Sequence, residues 1–319
     1  MKYPASVFIC ACCAFAAHAA DNYPVKPIRF IVGFTAGGTS DVVARLLAVK
    51  LAETWTQPLV VDNRPGAGGN LAADLTAKAP ADGYTVLVIS SSHPIQGLLK
   101  KNLPYDPVRD FAGVAELVVY RSLLVTFPGV PANSIADLIA LAKAKPGQIN
   151  FVSSGNGSAS HLAGELFKVS AQVNITHVPY KGSSPALIDL IAGRVQMMFS
   201  PLVPVLPHIK ANRLRPLAVT SLARSRLLPE LPTINESGVP GYEFVSWYAV
   251  VAPAATPRAV VGKLNALLNQ AMQMPEVAQH LQGEDMDVVH KTPQEFDAVR
   301  AAMLVKWSKI VKQTGIQAD

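Results

Sequence analysis

The chain has 319 residues, 50% hydrophobic and 16% charged, which is the composition of a globular protein long enough for a large core and about two domains. Its formal net charge is +6, yet the basic residues are dispersed, and the one short grouping, Arg213, Arg215, Arg224 and Arg226, has no aromatic interleaving. This argues against nucleic acid as a partner, while a mild basic excess favours small anions through long-range steering.

The first twenty residues read as a targeting segment. Lys2 supplies a positive start, Ala5–Ala17 an apolar run, and Ala17-His18-Ala19 a cleavage site of the A-x-A form. A membrane anchor would need roughly 20 apolar residues. The expectation is a periplasmic chain beginning near Ala20 or Asp21. Cys10, Cys12 and Cys13 all fall inside this segment, so thiol catalysis, disulfides and thiolate metal sites drop out together.

Beyond it, apolar runs alternate with helical patterns. A strand over Ile28–Phe34 leads through FTAGGTSD into a helix over Asp41–Thr54. A strand over Pro58–Val61 leads through NRPGAGGN, whose expected role is to start a helix over Leu71–Lys78. The strand Thr85–Ser90 ends in three serines. Next come a strand over Leu123–Phe127, a helix over Ser134–Lys145 capped by Ser134 and stopped by Pro146-Gly147, a strand over Ile149–Ser153 and a helix over Ser158–Ser170. A strand over Ile175–Val178, a helix over Pro185–Ala192, strands over Val195–Ser200 and Leu214–Thr220, and helices over Pro257–Met272 and Pro293–Val311 complete the series. Such alternation predicts an α/β fold with parallel sheets covered on both faces. There is no long linker, so the chain is expected to cross between domains more than once, at Val118–Phe127 and Phe244–Pro253. Residues 124–245 then form an inserted domain, and 21–123 with 246–319 form the other.

Two loops have the form of an anion cradle. FTAGGTSD at 34–41 and FVSSGNGSASH at 151–161 each carry a strand end through glycines and hydroxyl residues into a helix, aiming first-turn N–H groups at whatever lies in front. Each also reads as a tight turn that needs glycine conformations. Neither loop matches the spacing of a dinucleotide or P-loop motif. At 177–182, HVPYKG places Tyr180, Lys181 and Gly182 at a strand end, where a hydroxyl and an ammonium can meet an acid. Ser91 is a further donor candidate, and Asp41 either caps its helix or faces the ligand. His161 and Glu165, four apart, lack the second histidine of a metal motif and read as a surface hydrogen-bonded pair. No Gly-x-Ser-x-Gly elbow occurs. No catalytic residue, metal or cofactor is expected; binding is the favoured class.

Taken together, YPVKPIRFIVGFTAGGTSDVVAR, VVDNRPGAGGN, APADGYT, LPYDPVRDF, VSSGNGSASHLAGELF, HVPYKGSSPALIDLIAGRV, LRPLAVTS, LPELPTINESGVPGYE, KLNALLN and the late KW resemble the Bug-type solute receptors of tripartite tricarboxylate transporters, over essentially the whole exported chain. The resemblance implies a periplasmic binding protein of the type II fold, with two α/β lobes and mixed, mostly parallel sheets closing around a small carboxylate. It implies delivery of the ligand to membrane permease subunits; the alternatives are a receptor that presents its ligand state to a sensor kinase, or a secreted hydrolase, which the missing nucleophile argues against, and a monomer suits a receptor that must close. Carried onto this chain, the ligand-binding residues would be Phe34, Thr35, Ala36, Gly37, Gly38 and Asp41, with Ser154, Gly155, Asn156, Gly157 and Ser158, acting through main-chain donors, hydroxyls and bridging waters; Tyr180, Lys181 and Gly182 are a looser transfer. Gly33 departs from the family, whose members often carry proline before the phenylalanine.

Overall fold

The computed structural model describes residues 23–55, 57–314 and 316–317. The expected targeting segment and its cysteines lie outside the described residues. The first part of the chain is β1 (Ile28–Val32), α1 (Thr39–Thr54), β2 (Leu59–Asn63), α2 (Asn70–Ala77), β3 (Thr85–Ser90) and the short α3 (Gln96–Leu99). β1 is the central strand of a parallel trio, paired with β2 and β3.

The long strand β4 (Phe111–Thr126) follows, then α4 (Ile135–Ala144), β5 (Asn150–Ser153), α5 (Ala159–Ser170), β6 (Thr176–Pro179), α6 (Ser183–Ile191), β7 (Met197–Pro201), α7 (Leu202–Lys210) and β8 (Arg215–Val219). β5 pairs in parallel with β6 and β7, which repeats the β1 arrangement in a second lobe. The chain returns through β9 (Val245–Pro253), α8 (Arg258–Gln273), α9 (Pro275–Gln282), β10 (Met286–Val288) and α10 (Pro293–Thr314). Ser134 caps α4 as its sequence suggests, its hydroxyl accepting from the Asp137 amide at 3.1 Å.

β4 joins the two sheets. Its first part, to Arg121, pairs antiparallel with β9; from Ser122 onward it pairs with β7 and β8. The hydrogen-bonded path therefore runs β2-β1-β3-β9-β4-β7-β5-β6, with β8 and β10 also on β4. Every antiparallel pair on it involves β4 or β9, and every parallel pair lies away from them. At the crossing point Ser122 and Thr220 bond each other, the Ser122 amide donating to the Thr220 hydroxyl at 3.0 Å and the Thr220 amide to the Ser122 carbonyl at 2.9 Å.

Each lobe has its own core. Phe30, Leu47, Val88, Val250 and Leu264 anchor the first, and Phe151, Phe167, Phe199 and Tyr242 the second. Two elements serve both. α10 buries Phe296 against Trp247 in the first lobe and Trp307 against Phe244 in the second-lobe cluster. α3 belongs to the stretch leaving the first lobe, yet its Leu99 and the preceding Ile95 lie in the second-lobe cluster. Burial of large aromatic side chains is the main stabilising term at such contacts. Trp307→Ala is expected to cost about 3–5 kcal/mol, as for other fully buried aromatics; urea unfolding measures it, and a loss below about 1 kcal/mol would contradict the bracing role of α10.

Candidate functional site

Between the lobes lies a cleft of about 520 Å³, counting its open mouth. Its walls are the first turns of three helices: Gly38, Thr39 and Ser40 at α1, Ala159 and Ser160 at α5, and Ser183 at α6. First-turn amides have no acceptor within their own helix, and the helix dipole adds partial positive charge at the same end. Ser90 from the end of β3, Ser122 from β4 and Ser154 add hydroxyls, while Phe34, Met198, Phe199 and Pro201 supply apolar surface. Among the described residues, no Lys, Arg, His, Asp or Glu lines this cleft.

Tyr120 of β4 and Tyr248 of β9 also line it, stacked with centroids 4.7 Å apart. Tyr120 bonds Tyr248 and Ser246, and Tyr248 also bonds Thr39. Burial pushes both phenols up, Tyr248 strongly, so they are neutral hydrogen-bonding groups. The paired strands β4 and β9 thus tie the cleft to the first turn of α1.

The structure sorts the predicted residues. Phe34, Gly38 and Ser154 line the cleft. Gly155, Asn156, Tyr180 and Lys181 line a neighbouring, more open hollow of about 740 Å³ that shares Phe34 and Ser154 with it. Thr35 and Gly182 face each other across the gap between lobes, where a Cβ on Gly182 would come 2.5 Å from the Thr35 hydroxyl. Ala36 and Gly37 are exposed. Ser158 is buried as the cap of α5 and accepts from the His161 amide at 3.4 Å. Gly157 offers no free donor, because its amide donates to His161 Nδ1 at 3.0 Å.

Two of the expected residues lie apart from the cleft lining. Ser91 donates to Ser246 Oγ at 3.1 Å, while its neighbour Ser90, the last residue of β3, lines the cleft. Asp41 faces its own loop. Its carboxylate accepts from the Gly37 amide, Arg45 Nε and Asn63 Nδ2, each at 2.9 Å. Burial would raise this carboxyl, but those hydrogen bonds and the Arg45 charge together hold it below the usual range. Asp41 therefore positions the loop.

Sequence reasoning missed Thr39, Ser40, Ser160, Ser183, Tyr120, Ser122 and Tyr248. The signal for the helix residues was present: α1 and α6 each begin two residues before the predicted Asp41 and Pro185. A two-residue boundary shift moves the donors from the loop into the helix turn.

His161 is not on the surface. It is buried, stacked on His177 at 3.9 Å, with Glu165 3.8 Å from Nε2. His177 Nε2 lies 2.6 Å from the Ser153 hydroxyl. Burial lowers His161 to about 3 and His177 to about 4, the cationic neighbours adding to the effect. Both are neutral at physiological pH, which lets His161 Nδ1 accept from Gly157. His93, enclosed in the first lobe against Tyr105 and Phe111, is lowered to about 3 by burial and then by Arg300.

The lobes touch through backbone. A Cβ on Gly68, at φ +68, would overlap the Asn156 carbonyl oxygen; one on Gly155 would sit 3.4 Å from the Gly68 Cα and amide nitrogen. NRPGAGGN does start α2, and it also forms the first-lobe edge of this contact. Gly33 has its own reason: a Cβ there would come 2.9 Å from Gly69 Cα, so the glycine lets the end of β1 pack on that turn.

Residues 43–316 match a family described as "Tripartite tricarboxylate transporter family receptor". The chain belongs to this receptor family. BugT of Bordetella pertussis is 39% identical over 97% of this chain and 95% of its own length. Among solved structures, R. palustris Rpa4515 with adipate is 39% identical with a TM-score of 0.89, covering 93% of this chain and 99% of that one. MatC from Rhodopseudomonas palustris with bound malate is 30% identical with a TM-score of 0.86, covering 91% and 100%. The receptor is thus an α/β protein of the two-lobed type II periplasmic binding fold.

Two tests follow from this geometry. The histidines have folded values below the unfolded ~6.5, so the unfolded chain binds more protons and stability falls as pH drops below about 6.5 toward 4, by up to about 1.4 kcal/mol per pH unit for each histidine. Urea midpoints at pH 7 and pH 5 measure this, and equal midpoints would contradict it. Gly68→Ala is expected to weaken ligand binding at least tenfold while costing the ligand-free protein only about 1–2 kcal/mol. Unchanged affinity in titration calorimetry would show that the Gly68–Asn156 approach plays no part in binding.

Proposed function

We propose that this receptor captures a small carboxylate in the periplasm between its two lobes and delivers it to the permease subunits of a tripartite tricarboxylate transporter. The observation that carries the reading is the convergence of the α1, α5 and α6 first turns on a cleft lined by hydroxyls and, among the described residues, by no charged side chain. A carboxylate there accepts hydrogen bonds from oriented amides and serine or threonine hydroxyls, and three helix dipoles favour its charge. Adipate in one relative and malate in another support linear dicarboxylates as the ligand class. Export rests on the targeting pattern of residues 1–20.

A transporter receptor must also release its cargo. Neutral dipoles hold a carboxylate without the uncompensated buried cation that a departing ligand would leave behind in an arginine-based site. Closure lets the acid bridge both lobes, so affinity depends on α1 and on α5 and α6 being reached together. The exported chain is expected to bind at least one C3–C8 carboxylate with a dissociation constant of about 1 μM or tighter, roughly −8 kcal/mol. Mass spectrometry of the co-purified ligand, followed by calorimetry with adipate and malate, provides the check. Turnover of the acid, or no binding across that series, would refute the proposal.

A further inference from the structure

Taking as given the reading of the cleft as an acid site over which the lobes close, we infer that Gln96 is the latch of the closed form: a positioning residue, outside the cleft, whose side-chain amide governs how long the acid stays bound. Gln96 opens α3, is 1% exposed and does not line the cleft. Its Nε2 donates to the Gly157 carbonyl at 2.6 Å, and its Oε1 accepts from Asn70 Nδ2 at 3.1 Å. Asn70 begins α2 in the first lobe and is held by Tyr105, whose hydroxyl donates to Asn70 Oδ1 at 2.5 Å, and by its own bond to the Ala67 carbonyl at 2.8 Å. Gly157 leads into α5 in the second lobe.

One buried amide therefore spans the gap. α3 belongs to the first-lobe stretch by sequence and packs Leu99, with Ile95 before it, in the second-lobe cluster. Whichever lobe it follows, opening removes one of the two Gln96 bonds: the bond to Gly157 if α3 stays with the first lobe, the bond to Asn70 if it moves with the second. Both bonds are complete only when the lobes meet. A contact made in one state alone shifts the population toward that state without touching the ligand. The fit around it is close, since a Cβ on Gly157 would lie 2.7 Å from both terminal atoms of Gln96. The bonded Gly157 also stands next to the α5 turn whose Ser160 lines the cleft. The latch thus acts on the wall that holds the acid.

The test compares Gln96→Ala and Gln96→Glu with the wild type in the chain beginning at residue 21, with adipate as probe. Gln96→Ala is expected to weaken adipate about tenfold, mostly through faster dissociation in stopped flow, and to leave the thermal midpoint of the ligand-free protein unchanged. Gln96→Glu sets a carboxylate oxygen against the Gly157 carbonyl. It should bind more weakly than Gln96→Ala at pH 8 and overtake it as the pH falls toward 5, because the protonated acid donates where the amide did. Equal affinity of Gln96→Ala and wild type, or a parallel loss of ligand-free stability and affinity, would overturn the latch. Failure of the wild type to bind adipate would count against the acid reading, and a ligand-free readout then decides the latch. Residues 21–319 contain no cysteine, and a Cβ on Gly38 lies 3.5 Å from Ser183 Oγ. A Gly38→Cys, Ser183→Cys pair therefore reports closure by its rate of disulfide formation. Gln96→Ala should slow that rate severalfold, and an unchanged rate would overturn the latch.

Discussion

The architecture depends on the pairing of β4 with β9. These two strands lie side by side up to Arg121 and Val245, and β4 then carries its backbone into the second sheet at Ser122. Because one strand belongs to both sheets, the two parallel trios are held at a common edge, and the helices that follow their strands begin near it. Parallel strands place the first turn of each following helix at the strands' carboxyl ends, where open α/β sheets form their ligand crevices. Here two such ends face each other, with Tyr120 and Tyr248 between them. The neutral phenols connect β4 and β9 to Thr39 in the first turn of α1.

That placement explains how a cleft suited to an anion can, among the described residues, have no cation in its lining. The positive potential comes from peptide dipoles oriented by the fold, while several charged groups nearby pair with one another. Asp41 and Arg45 pair with each other and hold the first loop; Tyr180 donates to Asp189 at 2.6 Å, which also receives Arg194. Buried neutral histidines do comparable work in the second lobe, where His161 can accept the Gly157 amide only while its Nδ1 carries no proton. Acid therefore loosens the fold and the second cradle through the same group.

Much of this was legible in the residues. Strand and helix order followed from apolar runs and caps, and Ser134 and Pro146-Gly147 bounded α4 well. What escaped has physical reasons. Residues 111–117 of β4 contain Gly113 and the buried Glu116, whose partner Lys291 is 175 positions away, so the local pattern hid a long strand. α7, which the sequence reading did not include, carries Pro204 and Pro207, residues that disfavour a helix interior. The two cradles were visible as loops, but the groups lining the cleft sit in the helix turns just beyond them. Ser91 was chosen over Ser90 because a strand end gives no indication of which neighbour faces a gap formed by a distant lobe.

The glycines carry a different lesson. Gly37 and Gly157 suggested an anion loop, yet the amides of both are taken, by Asp41 and His161. At Gly68, Gly155 and Gly182 the missing Cβ matters because backbone or side chain from the facing lobe comes close to its place: Gly68 against Asn156, Gly155 against Gly68, Gly182 against Thr35. Glycine here allows two lobes to come within backbone contact, where a single side-chain amide such as that of Gln96 can bridge them. Under the proposed function the acid would be held by helix turns, and the glycine loops set how nearly those turns can approach one another. Recognition and closure are thus assigned to adjacent residues of the same short motifs, which is why the sequence alone presents them as one feature.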